Sequence, residues 1–469
     1  MNIHNYDAAG LRKYISLWML CLVALCVGAC EDFVQVDLPD SQLNTTEVFA
    51  DRATADAAMA NIYAEMRSFG MLNGGRNGLS YQMGHYSDDF TFFATASSPT
   101  VPFFNNALLP STPAVASWWN IGYSQVYATN ALLEGVRGSD NLEQPDKDLL
   151  IGEALFARAM LHYYLNMVYG DVPFITSTDY EVNRSVSRLP STVLYDTLVQ
   201  DLQEAMLLLP EAYTTEERTR PNRYAAAALL ARVQLAAGRW AEAADAAAMV
   251  INNEALYFWE GTLESEFLRD SRSTIWQFHP GQDGANTLEA QSFLFTSSPP
   301  TQYAVAQHLL DSFEPGDQRK IYWLSAVTGG VNTYYAVSKY KERYATASSV
   351  EYSVVLRLAE QVLIRAEARA RQGELIGAAE DLNAIRAKAG LDPTEATTQQ
   401  DILAAILKER QTELFAEYGH RFFDLRRFDM LDSELSPIKP GWESTDRLLP
   451  LPENEIILNP NLSPQNPGY

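Results

Sequence analysis

The 469-residue chain sets 35 Lys and Arg against 59 Asp and Glu, a formal charge of −24 at neutral pH. A surface of that sign repels nucleic acid, which is excluded as a partner, and disfavours broad contact with anionic lipid. Hydrophobic residues make up 47% of the chain, so it is no disordered acidic tail and can bury a large core.

Arg12 and Lys13 precede an uncharged run of 16 residues, YISLWMLCLVALCVGA, from Tyr14 to Ala29. A basic start, a short apolar stretch and small residues at its end describe an export signal. A membrane-spanning helix usually needs about 20 residues. Gly28 and Ala29 stand just before Cys30, and Glu31 and Asp32 follow it. This order resembles a bacterial lipobox, so residues 1–29 are expected to be removed and Cys30 to be acylated. An ordinary secretory signal cut near Ala29 is the competing reading. Cys21 and Cys26 fall in the leader, so the mature chain would keep Cys30 alone and form no internal disulfide. Acyl chains bind at about 0.8 kcal/mol per buried methylene, so two or three hold a protein on a membrane without a spanning helix.

Helical periodicity then appears in four places. A weak pair combines 53–67 with 117–137, where Trp118 and Trp119 begin a core stripe. Ala154, Ala157, Leu161, Leu165 and Val168 share one face of a helix over 150–170, which Gly170 and Pro173 stop. A second helix over 191–209 follows, with Ser191 as its cap and Pro210 as its end. In 222–252, Tyr224, Ala228, Ala231 and Leu235 form a stripe, Gly238 breaks it, and Trp240, Ala244, Ala247 and Ile251 form the next. The pattern returns over 354–388, with Val355, Ala359, Val362, Ala366 and Ala370 before Gly373. Alanines allow close helix approach. The repeated hairpins are tetratricopeptide-like, although over a hundred residues separate the last two. Stacked pairs bury a continuous core.

Between the pairs, 69–113 and 258–349 are rich in Gly, Ser, Thr and aromatics. Loops this long inside a compact protein are usually functional. A sugar stacks its C–H faces on rings while its hydroxyls bond short polar side chains. The candidate ligand residues are therefore Phe90, Phe92, Phe93, Phe104, Asn105, Phe278, Tyr322, Trp323 and Tyr334, with Phe103 and Tyr335 nearby. Asp88, Asp89, Asn106, Gln282 and Arg319 could add hydrogen bonds. The bland reading is that most of these rings pin the loops to the helices. In EYGHRFFDLRRF, Arg421 and Asp424 are expected to pair at a helix end.

No GxSxG elbow, HExxH or phosphate loop occurs, and the six histidines are scattered. No cofactor, metal or catalytic residue is assigned. With 59 acidic residues, some pair will match a glycosidase separation by chance, so a glycoside hydrolase is the least favoured reading.

LRLAEQVLIRAEARARQGELIGAAEDLNAIRAKAGL, ILKERQTELFAEYGHRFFDLRRF and RLLPLPENEIILNPNLSPQNPGY follow one another to the end of the chain. With CEDF and GEALFARAMLHYYLNMVYGDVPFI near its start, these blocks resemble the SusD/RagB family of surface lipoproteins from Bacteroidetes. The resemblance covers nearly the whole of 30–469, with 389–469 as the family's C-terminal segment. It implies an all-α tetratricopeptide-like scaffold of helical pairs with long irregular loop insertions. It also implies a lipid anchor on the outer face of the outer membrane, with Glu31 and Asp32 resembling a surface-export signal. The implied partner is a SusC-like TonB-dependent transporter and the implied ligand an oligosaccharide. An oligopeptide, as for a RagB-like protein, is the alternative ligand. A protein-binding scaffold or adhesin is the alternative of another class.

Overall fold

The computed structural model describes residues 48–259 and 261–469; the leader and Cys30 lie outside them. Its frame is a chain of helices, each packed on the next. In order they are α1 (Arg52–Ser68), α2 (Pro113–Gly138), α3 (Gln144–Tyr169), α4 (Ser191–Leu208), α5 (Arg223–Ala236), α6 (Trp240–Ile251), α7 (Leu358–Gln372), α8 (Leu375–Lys388), α9 (Gln399–Leu414) and α10 (His420–Arg427). Among the described residues, no helix is long and apolar enough to cross a membrane.

Two helices are buried all round. Every residue of α3 from Leu150 to Tyr169 is buried, as is every residue of α5 from Ala225 to Leu235. Four consecutive alanines, Ala225 to Ala228, let neighbours approach α5 from several sides. The Asn222 side chain caps α5 by accepting from Ala225 N–H at 2.9 Å. Gly373 ends α7 at φ 83°, a conformation that favours glycine. Helix α6 packs directly on α7, so the two alanine hairpins become neighbours despite the intervening insertion. Trp240 is only partly buried, and the Arg371 guanidinium lies 5.2 Å from its ring centroid.

Two local expectations change. The α4 N-terminus is bonded by Asp171, whose carboxylate accepts from Ser191 N–H and from its hydroxyl, both at 2.8 Å. The stretch before α7 is not helical. Ser353–Arg357 is a fully buried strand, rich in β-branched residues, paired antiparallel with Thr274–Phe278.

The insertions are more regular than loops. In chain order their strands are β1 (Phe90–Phe92), β2 (Thr274–Phe278), β3 (Tyr303–Val305), β4 (Leu324–Gly329) and β5 (Asn332–Val337), with β6 (Ser353–Arg357) at the return to the frame. They make three two-stranded sheets: β1–β3, β2–β6 and β4–β5. The β1–β3 pair joins the first insertion to the second, with Phe92 opposite Tyr303. Tyr81, Phe90, Phe267, Phe293, Tyr303, Trp323, Tyr340 and Phe415 fill a common aromatic core beneath them.

A buried ionic hub ties this layer to the frame. Arg357 Nη1 donates to Glu413 Oε1 at 2.6 Å and its Nε to Glu417 Oε2 at 2.8 Å. Lys339 donates to the Glu413 carbonyl at 2.8 Å and pairs with Glu417. Arg319 bridges Asp317 and Glu413, at 2.8 and 3.0 Å, and reaches Glu409 at 2.6 Å.

Removing one partner strands its opposite charge in the core, which typically costs about 3–5 kcal/mol. Glu413→Ala should therefore lower the unfolding free energy by about that amount, read from denaturant titration. Burial opposes the Glu413 charge, but Arg357, Arg319 and Lys388 outweigh it and hold the carboxyl down at about 2. Its stabilisation is present above the ordinary value of 4.5 and is lost as pH falls towards 2. Glu289 has the opposite sign. Burial pushes it from 4.5 up to about 7, so its contribution is largest below 4.5 and is lost as pH rises through 7. Glu289→Gln should raise the melting temperature at pH about 8 and change it little at pH about 4. An equal shift at both pH values would contradict this assignment.

Candidate functional site

The joined edge of the two insertions carries the surface rings, and strand geometry decides which of them face outward. Along β1, Phe90 points into the core. It is 2% exposed and meets Tyr303 and Phe293 at ring-centroid distances of 4.8 and 5.6 Å. Phe92 lies on the same strand at the sheet's edge. It is half-buried and stacks on Phe104 at 5.5 Å with 26° between the planes. Phe93 follows on the other side and meets Tyr334 edge-on at 5.4 Å. Phe92 with Phe104, and Phe93 with Tyr334, thus make two partly exposed ring pairs, the second drawn from both insertions. Asn105 is exposed at the end of the short helix Val101–Phe104, beside these rings.

The floor beneath Phe104 is polar. Lys439 Nζ lies 4.3 Å from the Phe104 centroid and donates to the His85 carbonyl. Burial pulls the Lys439 amine down to about 7 and the His85 imidazole to about 3. His85 Nδ1 is held by the Tyr81 carbonyl at 2.8 Å.

Three candidate rings serve the interior instead. Trp323 is 1% exposed, donates its indole N–H to the Leu263 carbonyl at 3.1 Å and packs on Phe267 at 5.5 Å. Phe278 is 2% exposed in β2 against Trp276. With Phe90, they are corrected to core residues: an insertion of this length needs apolar filling of its own, and its large rings supply it. Phe103 is likewise fully buried. Tyr322 and Tyr335 are half-buried against the aromatic core, and Tyr322 makes no ring contact with Phe92, Phe93, Phe104 or Tyr334.

The polar candidates sort the same way. Arg319 belongs to the buried hub. Asn106 is 5% exposed and donates to the Tyr86 carbonyl at 2.9 Å. Gln282 remains exposed. Asp88 is buried and held by Arg421, at 2.9 Å from Nε and 2.6 Å from Nη2, so Arg421 does not pair with Asp424. Asp424 is taken by Arg410 at 2.7 Å and Arg427 at 2.8 Å. Neighbouring Asp89 is buried too, and burial together with the Asp88 charge pushes it up to about 7.

Asp88, His308 and Glu434 bring three possible metal-ligand atoms within 4.8 Å of one another. Arg421 already contacts Asp88 at 2.6 Å and Glu434 at 3.3 Å, so a fixed cation occupies that cluster. His308, 3.2 Å from Asp88, has its pKa raised by the hydrogen bond to that carboxylate.

Two clefts of about 770 and 730 Å³ lie away from the ring surface, beside the C-terminal segment. No ring-rich loop marks either in the sequence: their walls are helix faces, a short polar loop and the C-terminal segment.

Comparison with known proteins gives a consistent result. Residues 33–235 match the family model described as starch-binding associating with outer membrane, and 268–469 match that of the SusD family. SusD-like protein P2 of Formosa agariphila is 28% identical, covering 76% of this chain and 81% of the relative. A SusD superfamily protein from Bacteroides vulgatus superposes with a TM-score of 0.76 at 18% identity, covering 90% of this chain and all of that one. A laminarin-binding SusD-like protein superposes with a TM-score of 0.74 at 24% identity, covering 89% and 99% of the two chains.

Proposed function

Because the chain belongs to the SusD/RagB family, we propose that it captures an extracellular oligosaccharide on the ring surface of Phe104, Phe92, Phe93 and Tyr334. One observation carries this reading. These four rings, from both insertions, remain partly open, and Asn105 is exposed next to Phe104. Offset rings suit the C–H faces of a sugar, and Asn105 and Tyr334 offer hydrogen bonds to its hydroxyls.

Capture without chemistry fits the surroundings of the rings, since Asp88 and Asp89 are both buried and Asp88 is locked by Arg421. The laminarin-binding relative makes short β-glucans the first ligands to try. Acylation at Cys30 would tether the protein to the outer membrane, facing outward. A tethered binder cannot itself carry a ligand across a bilayer, so the reading includes a SusC-like TonB-dependent transporter as partner. An oligopeptide is the runner-up ligand.

A stacked ring contributes roughly 1 kcal/mol, and the loss of an anchor costs more. Phe92→Ala, Phe104→Ala and Tyr334→Ala should each weaken oligosaccharide binding by about tenfold in calorimetry, with unchanged far-UV circular dichroism. Unaltered affinity in all three variants would move the ligand elsewhere. Trp323→Ala should instead lower the melting temperature, because that ring is in the core.

Cys30→Ala should release the protein from the membrane fraction or leave it with its leader attached. A mature N-terminus away from Cys30, carrying no lipid, would remove the anchor from this account. Gentle detergent extraction at native expression should recover a barrel with the wild-type protein.

A further inference from the structure

The cleft of about 730 Å³ is built on an outward stripe of α2. Asn120, Tyr123, Ser124 and Tyr127 stand at i, i+3, i+4 and i+7, so they share one helix face over about 10 Å. The opposite face, with Trp118, Gly122, Val126 and Leu133, is buried. Of this stripe, Asn120, Ser124 and Tyr127 are exposed, while Tyr123 packs on Trp119 at 4.8 Å and donates its hydroxyl to the Pro173 carbonyl at 2.8 Å. Tyr127 is 54% exposed, and Tyr180 across the cleft is 72% exposed. Asn120, Ser124, Tyr127 and Tyr180 have no side-chain partner among the described residues.

The facing wall is a tied loop. Thr178 bonds Glu134 of α2 through its N–H at 2.9 Å and through its hydroxyl at 2.5 Å. Asn183 donates to the Ser177 carbonyl at 2.7 Å. From the C-terminal side, Asn459 donates to the Val186 carbonyl at 2.8 Å and Asn461 to the Ser185 carbonyl at 2.7 Å. Both sides of the cleft are thus fixed before any ligand arrives, which lowers the entropy lost on binding.

The charges in the cleft are largely committed. Arg184 pairs with Glu181 at 2.8 Å, and Glu455 is hydrogen-bonded to Trp119. An anionic ligand would meet a chain of formal charge −24 and, among the described residues, no unpaired cation lining the cleft. None of the lining residues lies in a strand, so a peptide has no sheet edge to extend. Open ring faces beside amides and hydroxyls suit an uncharged polyol instead.

We propose that this cleft, between the Asn120–Tyr127 stripe of α2 and the loop around Tyr180, is a second binding site for a neutral oligosaccharide. It shares no residue with the ring surface of the insertions, so each site can fail without the other.

The test is hydrogen exchange by mass spectrometry on the intact mature chain with laminarihexaose, cellohexaose, maltohexaose, xylohexaose and mannohexaose, each at millimolar concentration. At least one of these should slow exchange across 177–186. Tyr127→Ala and Tyr180→Ala, both at exposed positions, should weaken that protection about tenfold in ligand concentration, and Phe104→Ala should leave it unchanged. Protection confined to 91–106 and 332–337 would overturn the second site while leaving the first. No slowing of 177–186 by any of the five sugars also overturns it. So does protection of 177–186 that survives the double variant Tyr127→Ala/Tyr180→Ala, or that appears only with an apolar peptide.

Discussion

Arg357 is the residue on which the arrangement turns. It ends β6 immediately before α7, and its guanidinium is bonded by Glu413 of α9 and by Glu417 just beyond it. Three parts of the chain therefore meet at one 2%-exposed charge. Lys339 and Arg319 extend the hub into the second insertion. Burying these groups is costly, and only near-complete pairing offsets the desolvation. In return their geometry is directional. Apolar packing would allow the insertion layer to slide over the helices, whereas forked guanidinium–carboxylate bonds allow one seating.

The hub also accounts for an otherwise unfavourable turn. Ala416 and Tyr418 adopt φ of 58° and 41°, conformations that non-glycine residues seldom take. Between them sits Glu417, which this turn directs at Arg357 and Lys339. The Tyr418 N–H is in turn bonded by the Ser80 hydroxyl at 2.9 Å, which brings the first insertion to the same place. Local strain is held by the Arg357 and Lys339 charges and by the Ser80 hydroxyl, so the turn and the hub stand or fall together.

Much of the frame was legible because helix pairing is a local, periodic property. The alanine stripes of 222–252 and the Gly373 break show directly in sequence, and the structure places helices there. The insertions were legible as ring-rich segments but not ring by ring. Phe90 and Phe92 are two residues apart on one strand, yet one fills the core and the other reaches the surface. Phe90 meets Phe293 and Tyr303, more than 200 residues away, whereas Phe92 stacks on Phe104. Arg421 was misassigned for the same reason: its carboxylate partner, Asp88, is 333 residues distant, while Asp424 is near in sequence but bonded to others. The cleft beside α2 is not legible in sequence, because an Asn-Tyr-Ser-Tyr helix face carries no loop signature and its exposure among the described residues depends on the fold.

Two modest sites on one rigid body would behave differently from a single strong one. A ring contact contributes roughly 1 kcal/mol, so either surface alone would hold a short sugar weakly. A polymer long enough to touch both gains from effective concentration without any new contact. Once cut to fragments that reach only one surface, the same glycan loses that advantage and dissociates readily. Such a binder would retain long chains and surrender short ones. The rigidity for this comes from the frame, whose close alanine packing leaves its helices little freedom to shift. The ionic hub does the same for the insertions, so two such surfaces would keep a fixed spacing.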